Sequence, residues 1–199
     1  MTDPLSEELQ AFIFANRGLL LAAPAALLGA FGKPSAFGVA LGLPTAIAGE
    51  LLRCWAVGYS GETTRGDRVT APKLTTSGPY AYVRNPLYLG NFVTALGFTM
   101  AFTGKNSLPA RCALAAGALG AMIGLYAVIV PHEERYLRER FGEEYDRYCA
   151  RVPRVLPQLD PAPGGTQTWD ASVIAKAESK TLVTFGAMLA LLALKSIAA

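Results

Sequence analysis

Cysteine and histidine are scarce in this chain. Cys54, Cys112, Cys149 and His132 are all it has, and no two of them stand at metal-ligand spacing or outline a disulfide framework. The pattern therefore offers no metal site and no disulfide-stapled secreted domain. Charge is scarce as well: Asp, Glu, Lys and Arg make up 17 % of the 199 residues and the net charge is +3. That balance suits a face lying near anionic lipid head groups better than a nucleic-acid surface. The first ten residues hold Asp3, Glu7 and Glu8 but no basic side chain, the wrong charge for the leading region of a secretory signal. No internal repeat or low-complexity tract is present.

What the chain has instead is apolar length. Hydrophobic residues make up 52 % of it, and candidate membrane spans run from Ala11 to Phe31, Ala36 to Tyr59, Leu87 to Phe102, Leu108 to Val130 and Leu182 to Ala198. The third and fifth are short for a hydrocarbon layer of roughly 30 Å, and Arg17 near the start of the first can extend its head to the interface. The expected fold is an all-α integral membrane protein with about five transmembrane helices and cytoplasmic amphipathic helices. Its parts would be an N-terminal span in 1–35, a membrane core in 36–157, and a connector, interfacial helix and C-terminal span in 158–199. Arg65, Arg68, Lys73, Arg84 and the basic residues from Arg135 to Lys180 fall on one side, against Lys33, Lys105, Arg111 and Lys195 on the other. By the positive-inside rule the richer side is cytoplasmic.

Two polar clusters stand on that side. Tyr80, Tyr82, Arg84, Asn85, Pro86 and Tyr88 lead into the third span, and His132, Glu133, Glu134 and Arg135 follow the fourth at Pro131. Only residues 103–107 separate those spans, so they should form an antiparallel hairpin that returns both clusters to one rim. Asn85-Pro86 reads as a helix start, asparagine at the N-cap and proline in the first turn, and such a terminus also seats anions. The tyrosines equally suit an interfacial belt, and Glu133-Glu134 equally suits a helix's first turn. Downstream, Glu134/Arg138, Arg135/Glu139 and Glu143/Arg147 fall at i,i+4 spacing, while Leu137, Phe141, Tyr145 and Tyr148 share a face of a helix interrupted near Gly142. Trp169 to Lys180 reads as a second interfacial helix. The pairs Gly38/Gly42 and Gly120/Gly124 have the spacing that lets membrane helices approach closely. Glu50 and Arg53 lie inside the second span, where ionisable residues are costly and face a polar cavity or each other.

Three motifs occur in order: Gly49-x-x-Leu52-Arg53-x-Trp55-Ala56, then Gly78-Pro79-Tyr80-x-x-Val83-Arg84-Asn85-Pro86-x-Tyr88-x-Gly90, then Glu133-Glu134-x-x-Leu137-x-x-x-Phe141-Gly142-x-x-Tyr145-x-x-Tyr148. Together, over about Gly49 to Pro157, the chain resembles the isoprenylcysteine carboxyl methyltransferases and their phospholipid methyltransferase relatives. The resemblance implies S-adenosylmethionine as cofactor, bound by Tyr80, Arg84, Asn85, Pro86, Tyr88, Gly90, Glu133, Glu134 and Leu137. It also implies a lipid-like or prenylated acceptor. Read from the residues, Glu50, Arg53 and Trp55 are the candidates to meet that acceptor, and Arg53, Glu133, Glu134 and His132 are the catalytic candidates. The partners expected are membrane lipids, with no nucleic acid. Members of the family often carry His-Pro where this chain has Asn85-Pro86. An amide cannot act as a general base near neutral pH, which leaves His132 as the conventional base. Two other readings stand beside this one: an NADPH-dependent membrane reductase of sterols or enoyl lipids, and a membrane scaffold without enzymatic activity. The reductase pattern places an Asn-Tyr-x-x-Glu run after the proline, which Leu87-Tyr88-Leu89-Gly90-Asn91 lacks.

Overall fold

The computed structural model describes residues 9–10, 12–13, 16–61 and 71–198. The acidic start at residues 1–8, the first residue of the expected first span (Ala11), and Arg65 and Arg68 lie outside the described residues. Among those described, all regular structure is helical: α1 (Arg17–Phe31), α2 (Ala36–Ser60), α3 (Pro86–Thr103), α4 (Leu108–Phe141), α5 (Glu143–Arg151), α6 (Ile174–Ala177) and α7 (Ser179–Ile197). Ser35 opens α2 by accepting a hydrogen bond from the Gly38 amide at 3.0 Å, a standard side-chain cap. Gly142, with φ of 51°, separates α4 from α5 at the expected interruption, because a left-handed backbone there favours glycine.

The helices alternate in direction, so the start of α1, the end of α2, the start of α3, the latter part of α4 and the start of α7 share one end of the bundle. At the other end, Asn106 in the α3–α4 loop binds Lys33 N and Phe31 O, and Lys195 of α7 donates to Gly32 O at 2.8 Å. α2 and α3 pack closely along their length. A Cβ on Gly42 would meet the Gly97 carbonyl, and one on Gly97 would meet the Ala46 and Gly42 backbone, which is why two spans with small residues can run nearly in contact. Gly38 and Gly42 thus serve the close approach the sequence suggested, whereas a Cβ on Gly120 or Gly124 would meet nothing within 4 Å.

Among the described residues, three helices are long and apolar enough to cross a membrane: α2, α4 and α7. Within the described residues, the first expected span holds the 15-residue helix Arg17–Phe31. The third, α3, carries Asn91, Thr94, Thr99 and Thr103 and buries Phe98, Thr99, Ala101, Phe102 and Thr103 among its neighbours, so it meets protein where an apolar span would meet lipid. α4 passes unbroken through Pro131. At 34 residues it is roughly 51 Å long, well beyond a hydrocarbon core of about 30 Å, so its charged last turns project past the apolar part. Glu133 and Glu134 accordingly lie in mid-helix and do not complement a helix start. α5 turns one face onto protein, where Tyr145 and Tyr148 bury against Leu74 and Val152 with Leu137 and Phe141 alongside. The expected helix over Trp169 to Lys180 is realised only as a tight turn at Ala171–Val173 and the four residues of α6.

Candidate active site

Glu134 gathers the polar end of the hairpin. Its carboxylate, 3 % exposed, accepts from Arg84 Nε at 3.0 Å, from Arg154 Nη2 at 2.7 Å and from Asn85 Nδ2 at 3.2 Å. Arg84 also donates to the Val152 carbonyl at 2.8 Å and the Cys149 carbonyl at 3.3 Å, and its amide donates to Pro153 O at 2.9 Å. Burial opposes the charge on Arg84, but the hydrogen bond and field of Glu134 outweigh it and hold the guanidinium above its ordinary pKa. The expected i,i+4 partners are therefore exchanged. Glu134 takes Arg84 and Arg154 instead of Arg138, Arg138 pairs with Asp146 at 2.8 Å, and only Glu143/Arg147 forms as spaced, at 3.4 Å on the surface. Asn85 does begin α3, but its side chain goes to Glu134 and Arg154 O and does not cap.

Beside this knot is a cavity of about 440 Å³, within the range of small-molecule sites. Its walls include the start of α3 (Asn85, Pro86, Leu87, Tyr88), Glu133 and Leu137 of α4, Arg53 of α2, Tyr145 and Tyr148 of α5, and Glu178 and Thr181. The Tyr88 hydroxyl donates to Glu133 at 2.6 Å, and Asn91 donates to the Tyr126 hydroxyl at 2.8 Å. Across from them, Arg53, 6 % exposed, bonds Asn91 Oδ1 and donates to both oxygens of Glu178 at 2.9 and 2.7 Å. Glu50 stands 3.8 Å from Arg53 Nε. Tyr80 is held on the tight turn Gly78–Ala81 and lines the same space. Burial pushes its phenol up to about 12, against a smaller opposing effect of the Ser60 hydrogen bond, so it presents a neutral ring and hydroxyl. Arg17, Lys73 and Lys180 also line the cavity.

The cavity thus brings together Tyr80, Arg84, Asn85, Pro86, Tyr88, Glu133, Leu137 and Arg53, as the sequence suggested, and leaves other candidates apart. Glu134 is turned away into the knot. Gly90 makes room for Arg53, whose Cγ would sit 2.7 Å from a Cβ placed there. Glu50 lines a smaller, mostly apolar chamber of about 160 Å³ next to the first. Trp55 is 42 % exposed and faces Tyr82 at 6.1 Å between ring centroids. His132 points its Nδ1 to Gln10 at 3.2 Å and is outside the lining. Sequence reasoning missed Asn91, Tyr126 and Glu178. A polar residue inside an apolar span is the signal that could have found the first two; Glu178 sits in an ordinary charged run.

The helices and the cavity define a helical membrane protein with a polar, ligand-sized site at one end of its bundle. A family model described as phospholipid methyltransferase matches residues 37–144, more than half the chain, and the chain belongs to that family. It is 30 % identical over 120 residues to protein-S-isoprenylcysteine O-methyltransferase B of Arabidopsis thaliana, covering 58 % of this chain and 57 % of the relative. It is 34 % identical over 100 residues to a cobalt-zinc-cadmium resistance protein of Cupriavidus metallidurans, covering 50 % and 42 %. To methanethiol S-methyltransferase 1 of Bradyrhizobium diazoefficiens it is 31 % identical over 93 residues, covering 46 % and 29 %. The chain thus spans little more than half the length of the Arabidopsis relative, and less of the other two. No solved structure matches it.

Proposed function

We propose that the chain is a membrane methyltransferase that moves a methyl group from S-adenosylmethionine to an apolar or lipid-borne acceptor, most simply a carboxylate, within the cavity described above. One observation carries the reading: a carboxylate held by a phenol (Glu133 and Tyr88, 2.6 Å) and a buried guanidinium (Arg53), all within the family-matched region, line one cavity. The donor set fits the cofactor, which carries two cationic groups and a carboxylate. Glu133 with Tyr88 suits the cationic part, the start of α3 suits the carboxylate, and the rings of Tyr80, Tyr145 and Tyr148 offer faces for a base. When bound, the cofactor supplies an electrophilic methyl on a positively charged sulfur.

Arg53 and Asn91 then hold the acceptor's polar group, and the apolar chamber beside Glu50 takes part of its tail. Arg84 and Glu134 act by fixing the wall, keeping α3, α4 and the segment after α5 in register. Catalysis in such a site comes mainly from alignment and exclusion of water. Methyl transfer to an acceptor that is already anionic would need no proton removed by the protein, so Arg53 and Asn91 would only have to hold and aim it. That fits a site whose only histidine is directed elsewhere. An amine acceptor is the second reading, with Glu133 the ionisable group available to take its proton. The basic residues around the cavity support a cytoplasmic opening, and counting α1 and α3 as membrane-embedded restores five crossings.

The first test is thermal. S-adenosylmethionine should raise the melting temperature of the purified protein and NADPH should not; stabilisation by NADPH alone would favour a reductase, and by neither a scaffold. The second is transfer of a radiolabelled methyl to total membrane lipid, followed by base. Label released as methanol marks an ester, whereas retained label marks an N-methyl product and overturns the carboxylate assignment.

A further inference from the structure

The family match ends at residue 144, but the wall of the cavity does not. Glu178, between α6 and α7, is 0 % exposed and reaches 125 positions back along the chain to Arg53. Its place is fixed from both sides, the Glu178 amide donating to Ile174 O at 2.7 Å and the Leu182 amide donating to Glu178 O at 2.8 Å. Upstream, Asp170 N donates to Gly58 O at 2.9 Å and the Trp169 ring rests against Gly58, which staples this segment onto the end of α2. Thr181, one turn on, has its hydroxyl 3.4 Å from Arg53 Nη2.

Neutralising Arg53 does not by itself require this partner, since Glu50 lies one turn away on the same helix. What Glu178 adds is direction. Nη2 is held on Glu178, so Nη1 is turned to Asn91 Oδ1 and the Leu87 carbonyl at the cavity wall. An arginine fork gains specificity from being held in one plane, and here the hold comes from outside the family-matched region.

We propose that Glu178 is a positioning residue: through Arg53 it orients the group that receives the acceptor, making the α6–α7 junction part of the active site as well as an anchor. The proposal rests on the cavity being the methyl-transfer site. It makes the acceptor side dependent on the C-terminal segment and the donor side independent of it.

The test uses the full chain in vesicles, with radiolabelled S-adenosylmethionine as donor and an N-acetyl-S-farnesylcysteine titration as acceptor probe, alongside calorimetric donor binding. Glu178→Gln keeps the shape and loses the charge. It should raise the acceptor KM by about tenfold, the scale of one charge-assisted hydrogen bond, and leave donor affinity within about twofold. Glu178→Asp should recover part of the loss, and phenylglyoxal should label Arg53 faster in Glu178→Gln than in the parent. An unchanged acceptor KM in both variants, or equal loss on the donor and acceptor sides, overturns the proposal, because packing alone would predict either. Should Glu178→Gln fail to fold, Glu178→Asp decides by the same KM comparison. A parent protein that binds donor and transfers methyl while the variants match it sinks this inference alone. If the parent shows neither donor binding nor transfer to the probe or to total lipid, the underlying reading fails and this one with it.

Discussion

Arg53 and Arg84 lie at the same end of the bundle, both largely buried and both paired with a buried glutamate, but they are built differently. Arg84 is used up by protein: one carboxylate and two main-chain carbonyls take its donors, and Arg154 closes over the shared glutamate from outside. Arg53 has carboxylates on two sides, Glu50 and Glu178, and its remaining bonds lie along the cavity wall. On the proposed reading, the difference separates a tie from a working group. Arg53 also bonds a main-chain carbonyl, that of Leu87, so what sets it apart is that two carboxylates hold it along the wall of the proposed acceptor site, whereas Arg84 ties a loop to α4.

The hardest test of that contrast is Glu134→Gln. It leaves Arg84 buried without its counter-charge, and breaking such a pair costs about 3–5 kcal/mol, the lower part of that range applying because Arg154 can turn to water. We expect a large fall in melting temperature, with donor affinity in the surviving folded fraction near the parent value. Unchanged melting with lost donor binding would make the knot part of the binding site and erase the distinction.

Tyr88→Phe tests the opposite case. It removes only the hydroxyl that donates to Glu133 at 2.6 Å and leaves the ring packed at a tilt against Tyr126, 4.5 Å away between centroids. Stability should change little, while donor affinity falls by about tenfold, the scale of one hydrogen bond to a charged group. Calorimetry reads this directly. A melting loss as large as that of Glu134→Gln, with donor affinity intact, would assign Glu133 to structure.

Much of the frame was legible in the sequence. A five-residue loop between two apolar runs forces Asn85 and Glu134 to one rim, and they lie 3.2 Å apart. Partner choice was not legible. Opposite charges meeting at a rim can grip a ligand or one another, and only side-chain geometry decides; Arg84 and Glu134 chose one another. Pro131 suggested a boundary, yet α4 runs through it as α1 and α2 run through Pro24 and Pro44, because packed membrane helices re-satisfy the hydrogen bond a proline frees. α3 reads as apolar, but its polar residues are taken up by protein: Asn91 and Thr94 bond to α4 and α2, and Thr99 and Thr103 bond back to carbonyls of α3 itself. Glu178 carries no local signal at all: its role depends on a contact made across 125 positions.

The smallest expected effect is also the finest divider. Arg154 reaches Glu134 at 2.7 Å, but its side chain is 51 % exposed, so water and salt screen the pair. Arg154→Ala should therefore cost about 0.5–1 kcal/mol, the upper range for a largely exposed ion pair. Arg84 and Asn85 continue to satisfy the carboxylate from within. If the knot is a tie, the loss appears as a slight drop in melting temperature that salt makes smaller still, with methyl transfer unchanged. If Glu134 instead serves the donor, freeing it from Arg154 should alter donor affinity by more than it alters stability, and a titration that found this ordering would move Glu134 and Arg84 from the wall of the site into its working surface.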